Sequence, residues 1–423
     1  VRGLKKEIVL NADQQAAVEM VKNNRFSILS GKPGTGKTTA TLAIIEWAES
    51  EGLKVIQCAP TGKAAKRMFE ATGRPAATIH STLVCTFGEH GFEFQHNEHN
   101  PLPADLVIID ETSMITNSLM ADLLKAINSE QTKVLMVGDP AQLPSIGAGA
   151  ILRDLIQSGE VPNTELKEIQ RNSGEIVLAC AAIHAGEIYT PAKAINLEAE
   201  NPVNLIHIEC MTPEKTLIAL RSVVCSRMPI RGYNPVDDVQ VISPVNIRGP
   251  LSCQAINQMI QNDLNPAKDD DMGGKWRVGD KVINTKNEKV ETPKGIEARI
   301  VNGDIGKILD IDYHNKEMVV QFFDPNRTVL IGLNDNNLLH AYAITCHRFQ
   351  GSESPVVVIP VHSSFSFFTT KSWIYTAISR AKEICITIGN FAAIEQMIHN
   401  RNDHYRVTRL QERLHEEAGF LSI

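Results

Sequence analysis

The stretch FSILSGKPGTGKTTA (26–40) limits the fold more than any other part of the chain. A β-rich apolar run ends in a glycine loop of the form G-x-x-x-x-G-K-[ST], and small helix-forming residues follow it. Gly31, Gly36, Lys37 and Thr38 occupy the required positions. Gly34 and Gly36 remove the β-carbons that would hold backbone N–H groups away from a phosphate, and the start of a helix adds partial positive charge at the same point. Lys37 is expected to reach the outer phosphates and the Thr38 hydroxyl to hold Mg²⁺. Pro33, Thr35 and Thr39 complete the expected nucleotide-binding loop. Nucleotide binding on an α/β fold follows from this one stretch, but many unrelated machines share it.

The same design recurs along the first part of the chain. KVIQCAP leads into TGKAAKR, LVIID into ETSM, and KVLMVGD into PAQLPSIGAG, with helical patterns such as TLAIIEWAESEG and NSLMADLLKAINSE between them. Apolar strands alternating with helices predict a parallel, helix-covered sheet, whose ligands lie beyond the carboxyl ends of the strands. Asp110 and Glu111 end one such strand. One carboxylate there suits holding Mg²⁺, and the next suits polarising an attacking water. Gln142, in GDPAQLPS, offers both a donor and an acceptor for sensing a γ-phosphate while touching a second site.

A second set of buried-strand patterns follows residue 160: VQVISPVN (239–246), PVVVIPVH (355–362) and ICITIGN (384–390), with WIYTAISRAKE before the last. Two similar sheet domains are therefore expected, the first alone carrying a phosphate loop. Arg171 in LKEIQRN and Arg380 in YTAISRA lie outside the phosphate-loop sheet. An arginine delivered to a γ-phosphate from another domain is worth about 10³ to 10⁵ in rate and ties hydrolysis to domain closure.

Composition narrows the class. At 423 residues, 43% hydrophobic and 22% charged, the chain reads as an ordinary soluble protein of several domains. It has no apolar run of about 18 residues, and VRGLKKEIVLN has no signal-peptide core, so a cytoplasmic protein without membrane contact is expected. Eight cysteines occur singly with no C-x-x-C pair, which favours reduced, mostly buried thiols over disulfides or zinc. A net charge of −7 does not advertise a nucleic-acid binder, although a basic groove fits within 42 Lys and Arg.

Taken in order, LNADQQAAV, GKPGTGKT, APTGKAAKRM, TIHSTL, DETSM, GDPAQLPSIGAG, LKEIQRN, ISPVN, YAITCHRFQGSE and YTAISRAK resemble the motifs of superfamily 1 helicases, from about residue 10 to RVTRLQERL. Within that superfamily the chain is similar to the RecD-like 5′-to-3′ DNA helicases, and more distantly to the phage Dda helicase. The resemblance implies an ATP- and Mg²⁺-dependent motor that moves on single-stranded DNA and opens duplex junctions. It also implies two RecA-like sheet domains in tandem, with a β-hairpin pin in the first and a small barrel of the Src-homology-3 (SH3) kind in the second.

The resemblance further implies that Gln14 reads the adenine and that Lys37, Thr38, Asp110, Glu111, Gln142, Arg171 and Arg380 form the ATPase site. Gly351 and Glu353 would line the nucleotide side of the cleft. Pro60, Thr61, His80, Ser243, Pro244, Asn246, Thr345 and His347 lie on motifs that contact single-stranded DNA in the family. Several are small neutral groups suited to phosphate hydrogen bonds, which position a strand without reading its sequence. That gives an acidic protein a way to bind DNA.

Two insertions fit this reading. CTFGEHGFEFQHNEHNP (85–101) reads as a hairpin, with Phe87, Phe92 and Phe94 available to stack on the last base pair; a solvated loop is the plainer alternative. Residues 273–335 switch to short strands broken by Gly-Asp turns, as in VGDKVINTKN and NGDIGKILDID, and predict the small barrel. The polar stretch 287–303 is expected to be a mobile loop on it. The expected domains are 1–160 (pin at about 84–103), 161–272 with 336–423, and the barrel at 273–335. The tail is expected to close the chain as a helix.

Three readings compete with the motor. A P-loop kinase or GTPase needs an N-K-x-D motif, and the nearest string, TKNE (285–288), lacks the Asp. An ATP-gated loading module would hydrolyse ATP without separating strands. An RNA helicase would answer to RNA, whereas APTGKAAKRM and the pin favour DNA. The chain begins shortly before the adenine motif, so a compact version or a trimmed fragment is expected, working as a monomer with a possible accessory protein or N-terminal domain.

Overall fold

The computed structural model describes residues 9–88, 91–168, 174–199, 201–267, 274–323, 326–400, 402, 406 and 408–421. They form two compact units, Val1–Ser173 with Arg401–Ile423 and Gly174–Asn400.

In the first unit, β1 (Phe26–Gly31), β2 (Val55–Ala59) and β3 (Ala76–Thr78) are followed by a hairpin of β4 (Cys85–Gly88) and β5 (Gly91–Phe94). Then come β6 (Leu106–Ile109), β7 (Lys133–Gly138) and β8 (Asn163–Leu166). Six of these strands form a parallel sheet in the order β3-β2-β6-β7-β1-β8. Its residues alternate between two cores. Leu29, Leu106, Ile108, Leu135 and Val137 face one, with Ala17, Val18, Ala40, Ile44 and Ile45 from helices Ala12–Asn23 and Lys37–Ser50. Ile28, Val107, Ile109, Val134 and Met136 face the other, with Met120, Leu123, Leu152 and Leu155 from helices Asn117–Lys125 and Ile151–Ser158. A strand covered on both faces has to be apolar throughout, which is why these runs read as continuous rather than alternating.

In the second unit, β9 (Leu205–Glu209) and β10 (Val239–Ser243) precede an antiparallel insertion. The insertion comprises β11 (Lys281–Asn284), β12 (Glu288–Glu291), β13 (Glu297–Ile300), β14 (Ile305–Asp312), β15 (Glu317–Phe323), β16 (Asn326–Gly332) and β17 (Leu338–His340). The chain returns through β18 (Ala343–Thr345), β19 (Ser354–Val361) and β20 (Ala381–Gly389). A parallel sheet has the order β18-β10-β19-β20-β9. The insertion forms an SH3-like sheet, β16-β15-β14-β11-β17, closed over Trp276, Val282, Ile308, Val320, Phe322 and Val329.

Asp280 fixes the root of the insertion. It is wholly buried and accepts hydrogen bonds from Gln261 Nε2 (2.6 Å), Asn265 Nδ2 (2.9 Å), the Arg277 N–H (2.9 Å) and the Tyr342 hydroxyl (3.2 Å). Gln261 lies on the helix Cys253–Leu264, and Tyr342 precedes β18, so one carboxylate ties the barrel to the sheet domain.

Three expectations change. The break expected at 160 falls after β8, because that strand pairs with β1 and completes the first sheet. The tail expected with the second domain belongs to the first unit: Leu410 and Leu414 of the helix Leu410–Leu421 pack on the core that holds Leu152 and Leu155. The stretch 287–303, expected as a mobile loop, contains the β12–β13 hairpin, with Val290 and Ala298 on the barrel core and Lys289 paired with Glu297. All eight cysteines are free, five of them buried.

Candidate functional site

The phosphate loop leaves β1 at Gly31. Gly34 and Gly36 adopt left-handed φ angles of 77° and 83°, where a β-carbon is strained. A β-carbon on Gly31 would stand 2.7 Å from Thr35 Oγ1 and 3.2 Å from the Leu166 carbonyl oxygen. Thr35 is buried and its hydroxyl donates to the Lys32 carbonyl (2.8 Å), holding the loop closed on itself. The helix Lys37–Ser50 begins at Gly36 with no side-chain cap, which leaves its first N–H groups aimed at the loop. Lys37 Nζ donates to the carbonyls of Gly31 and Lys32, and Thr38 is exposed beside it.

Gln14 is built into this loop from outside. Its Nε2 donates to the Gly36 carbonyl (3.3 Å), while its Oε1 accepts from the Asn11 N–H (3.1 Å) in a reciprocal helix cap. The residue expected to read a base is thus also a brace for the last turn of the phosphate loop.

Asp110 and Glu111 leave β6, separated from β1 by β7 alone. Asp110 Oδ1 accepts from the Glu111 N–H (2.8 Å), and Glu111 takes a left-handed φ of 50°. Burial and then the Glu111 charge push the Asp110 carboxyl up to about 6, against the pull of the Glu111 N–H, Arg67 and Lys37. Arg67 is an addition to the expected set. It comes from the helix Gly62–Thr72, whose TGKAAKR sequence looked like a strand-binding segment alone. The signal was an arginine on the first helix after β2, the strand beside β6.

From β7 comes the GDPAQLPS loop. Asp139 is buried and accepts from the Ala141 N–H (2.9 Å), and the Gln142 N–H donates to the Asp139 carbonyl (3.2 Å). Thr112 Oγ1 donates to the Val137 carbonyl (2.9 Å), joining the carboxylate loop to this strand. Arg406 in the tail donates to the carbonyls of Gly147 and Gly149 at the far end of the same loop, both at 2.9 Å. The phosphate loop, the carboxylates and Gln142 therefore leave three adjacent strands, β6, β7 and β1.

The remaining residues of the first unit follow β2 and β3, on the other half of the sheet edge, or lie on the β4–β5 hairpin. Thr61 caps the helix Gly62–Thr72 by accepting from the Ala64 N–H (3.2 Å), and Pro60 precedes it. His80 is exposed in the turn after β3, its ring 6.1 Å from that of Phe94. Phe94 is not at the hairpin tip: it pairs with Cys85 at the base and packs on the sheet core, because its strand runs back toward the domain. Phe87 and Phe92 pair with each other one step from the tip; their side chains lie outside the described residues.

In the second unit, Ser243 and Thr345 stand opposite each other at the ends of β10 and β18. Asn246 and His347 are exposed on the following turns, with Pro244 half-buried between. Ser243 departs from expectation. It is wholly buried and its hydroxyl donates to the Leu251 carbonyl (2.6 Å) and accepts from the Val245 N–H (3.3 Å), so it shapes the loop rather than offering a surface hydroxyl. Gly351 is buried with φ 72°, and Glu353 lies 3.9 Å from Lys382 Nζ. Arg380 is 3% exposed at the end of the helix Lys371–Ile378. Arg171 lies outside the described residues.

A phosphate loop, a paired carboxylate and a strand-exit glutamine on one parallel sheet, with a second parallel sheet bearing an SH3-like insertion, define a tandem RecA-like P-loop NTPase. Comparison with known proteins narrows the class. Three family models match in order along the chain: the AAA domain over residues 9–206, the ATP-dependent RecD-like DNA helicase SH3 domain over 256–322, and the UvrD-like helicase C-terminal domain over 340–388. The chain is similar to the ATP-dependent RecD2 DNA helicase of Deinococcus radiodurans, with 35% identity over 409 residues, 96% of this chain and 52% of that protein. It is also similar to the RecBCD enzyme subunit RecD of Mycolicibacterium smegmatis, with 28% identity over 95% of this chain and 74% of that protein. Among solved structures, the Bacteroides Pif1 helicase bound to ssDNA shares the fold, with a TM-score of 0.51 and 20% identity over 93% of this chain and 94% of that one. The chain belongs to the RecD-like group of superfamily 1 helicases, and it spans about half the length of the Deinococcus relative. Among the described residues, no helix is long and apolar enough to cross a membrane.

Proposed function

We propose that the chain is the motor of an ATP-dependent DNA helicase that translocates 5′ to 3′ on single-stranded DNA and separates the duplex ahead of it. The observation that carries this reading is the division of the first sheet's carboxyl edge. Nucleotide chemistry sits on β6, β7 and β1, and the PTGK and IHS loops sit on β2 and β3 of the same edge. A strand held at one half can sense ATP at the other. The names of the relatives, an ATP-dependent DNA helicase and a Pif1 helicase bound to ssDNA, support the same reading.

Mg²⁺ fits the residues present. The Thr38 hydroxyl and the Asp110 carboxylate are hard oxygen donors, and a cation would offset the burial that raises Asp110. Among the described residues no group of three or more His, Cys, Asp or Glu could hold a metal, which suits an ion carried in with nucleotide phosphates. Bound there, it would neutralise charge on the outer phosphates.

Lys37 would exchange its loop carbonyls for phosphate oxygens, and Glu111 would orient the attacking water. Gln142 would relay the phosphate state to the strand. Arg380 would bring the second sheet onto the γ-phosphate when ATP closes the domains, Arg171 would add a second guanidinium there, and Gly351 and Glu353 would lie on the nucleotide side. Pro60, Thr61, His80, Asn246, Thr345 and His347 would hold the strand. The β4–β5 hairpin would serve as the pin.

The test is ATP-driven unwinding of two duplexes, one with a 5′ and one with a 3′ single-stranded tail, with K37A as control. Opening from the 5′ tail alone is the expected result. Opening only from the 3′ tail overturns the polarity, and hydrolysis without opening from either overturns strand separation by this chain.

A further inference from the structure

The second sheet's carboxyl edge carries an aromatic side chain that neither the motifs nor the comparisons account for. Phe367 is 90% exposed, in the turn that follows β19, and Phe368 beside it is 50% exposed. A single exposed apolar residue on a floppy loop needs no explanation. This one is held by a dense set of bonds. Phe365, two residues earlier, is buried with its ring centre 6.0 Å from that of Phe368, and its carbonyl accepts from the Phe368 N–H (3.1 Å), the Thr369 N–H (3.0 Å) and the Thr369 hydroxyl (2.7 Å). Asn400 Nδ2 donates to the carbonyls of Ser366 (3.1 Å) and Thr369 (2.9 Å), clamping the turn on both sides of Phe367.

The position of this turn gives it a partner. β19 lies directly beside β10 and runs parallel to it, so both chains leave the sheet at the same edge. The loop after β10 presents exposed Asn246 and Ile247, the latter 67% exposed, and the next strand over, β18, presents Thr345 and His347. Hydrogen-bonding groups for a phosphate backbone and large apolar groups thus share one edge. Single-strand binding sites combine these two features, a track for the backbone and aromatic faces for the bases.

We propose that Phe367 is a base-stacking platform for single-stranded DNA. Any base has a π-face, so the contact takes a nucleobase without sequence preference, and the rigid turn lowers the ordering cost of the stack. This rests on the strand-binding reading above and adds to it a base contact on the second sheet.

The experiment measures affinity for fluorescein-labelled oligo(dT) and for an abasic oligonucleotide of equal length, using wild-type protein, F367A and F367W. Wild type is expected to prefer oligo(dT) over the abasic strand. F367A is expected to bind oligo(dT) about 5- to 150-fold more weakly, the loss of one stack, and to lose most of the preference for bases. F367W is expected to restore affinity, with its added indole emission quenched on binding. Equal affinity of F367A and wild type for oligo(dT), or undiminished base preference in F367A, overturns the platform and leaves the strand-binding reading standing. A wild-type protein that binds neither oligonucleotide overturns that reading and the platform with it.

Discussion

Glu111 holds a backbone conformation that its β-carbon makes costly, and the surrounding bonds keep it there: its N–H donates to Asp110 and its carbonyl accepts from the Met114 N–H (3.1 Å). Strain of that kind aims a side chain. For Glu111→Gln, which keeps the shape and removes the carboxylate proposed to orient the attacking water, ATP turnover is expected to fall by about 10²–10⁴-fold with nucleotide binding retained; steady-state hydrolysis beside fluorescent-nucleotide titration checks both halves. Lys37→Ala is expected to reduce turnover by at least about 10²-fold while far-UV circular dichroism stays unchanged, because among the described residues the ammonium bonds carbonyls of its own loop. Gln142→Ala is expected to lower stimulation by single-stranded DNA more than basal hydrolysis; wild-type stimulation and unwinding in that variant would remove the relay role. The loop's shape and the strand ends that carry these residues were legible in the sequence, because glycine freedom and strand-length apolar runs are set by neighbouring residues. The burial of Ser243 was not legible: Leu251, which accepts its hydroxyl, offers only a backbone carbonyl, and nothing in a sequence marks which carbonyl will turn inward.

At the scale of elements, sequence patterning assigned the tail to the wrong unit and gave no anchor for the barrel root. The helix Leu410–Leu421 shows an apolar stripe, but a stripe says only that something covers it. The structure supplies the answer, the core beneath the helix Ile151–Ser158. Placing a charge there with Leu414→Asp is expected to cost about 1–3 kcal/mol, read by chemical denaturation. Arg406 binds the loop that carries Gln142, so Arg406→Ala is expected to speed amide exchange across residues 139–149 while leaving β1 protected. At the barrel root, burial opposes the Asp280 charge, but His340 and the Asn265 and Arg277 donors outweigh it and hold the carboxyl below its usual range. A depressed carboxylate adds stability that is present above the unfolded value, near 3.9, and is lost as pH falls through the folded value. The stability gap between wild type and D280N is therefore expected to narrow below about pH 4; a gap independent of pH would show that the charge is not what ties the barrel down.

For the whole molecule, the net charge is −7, and the residues proposed to hold the strand offer mainly hydroxyl, amide and imidazole groups. Few counterions are displaced by such contacts, so the slope of log affinity for oligo(dT) against log salt is expected to be shallow, about −1 to −3. A slope steeper than about −5 would reveal a basic track that these residues do not form. The sequence by itself determined the nucleotide loop, the paired carboxylates, the two parallel sheets and the inserted barrel, because each depends on neighbours in the chain: glycine freedom, strand-length apolar runs and turn residues. Only the tertiary structure decided where the first unit ends, which unit takes the tail, that the polar stretch 287–303 contains a hairpin, and that Phe94 packs on the core. Those outcomes turn on burial by residues distant in sequence, and burial is a property of the packed chain rather than of any segment in it.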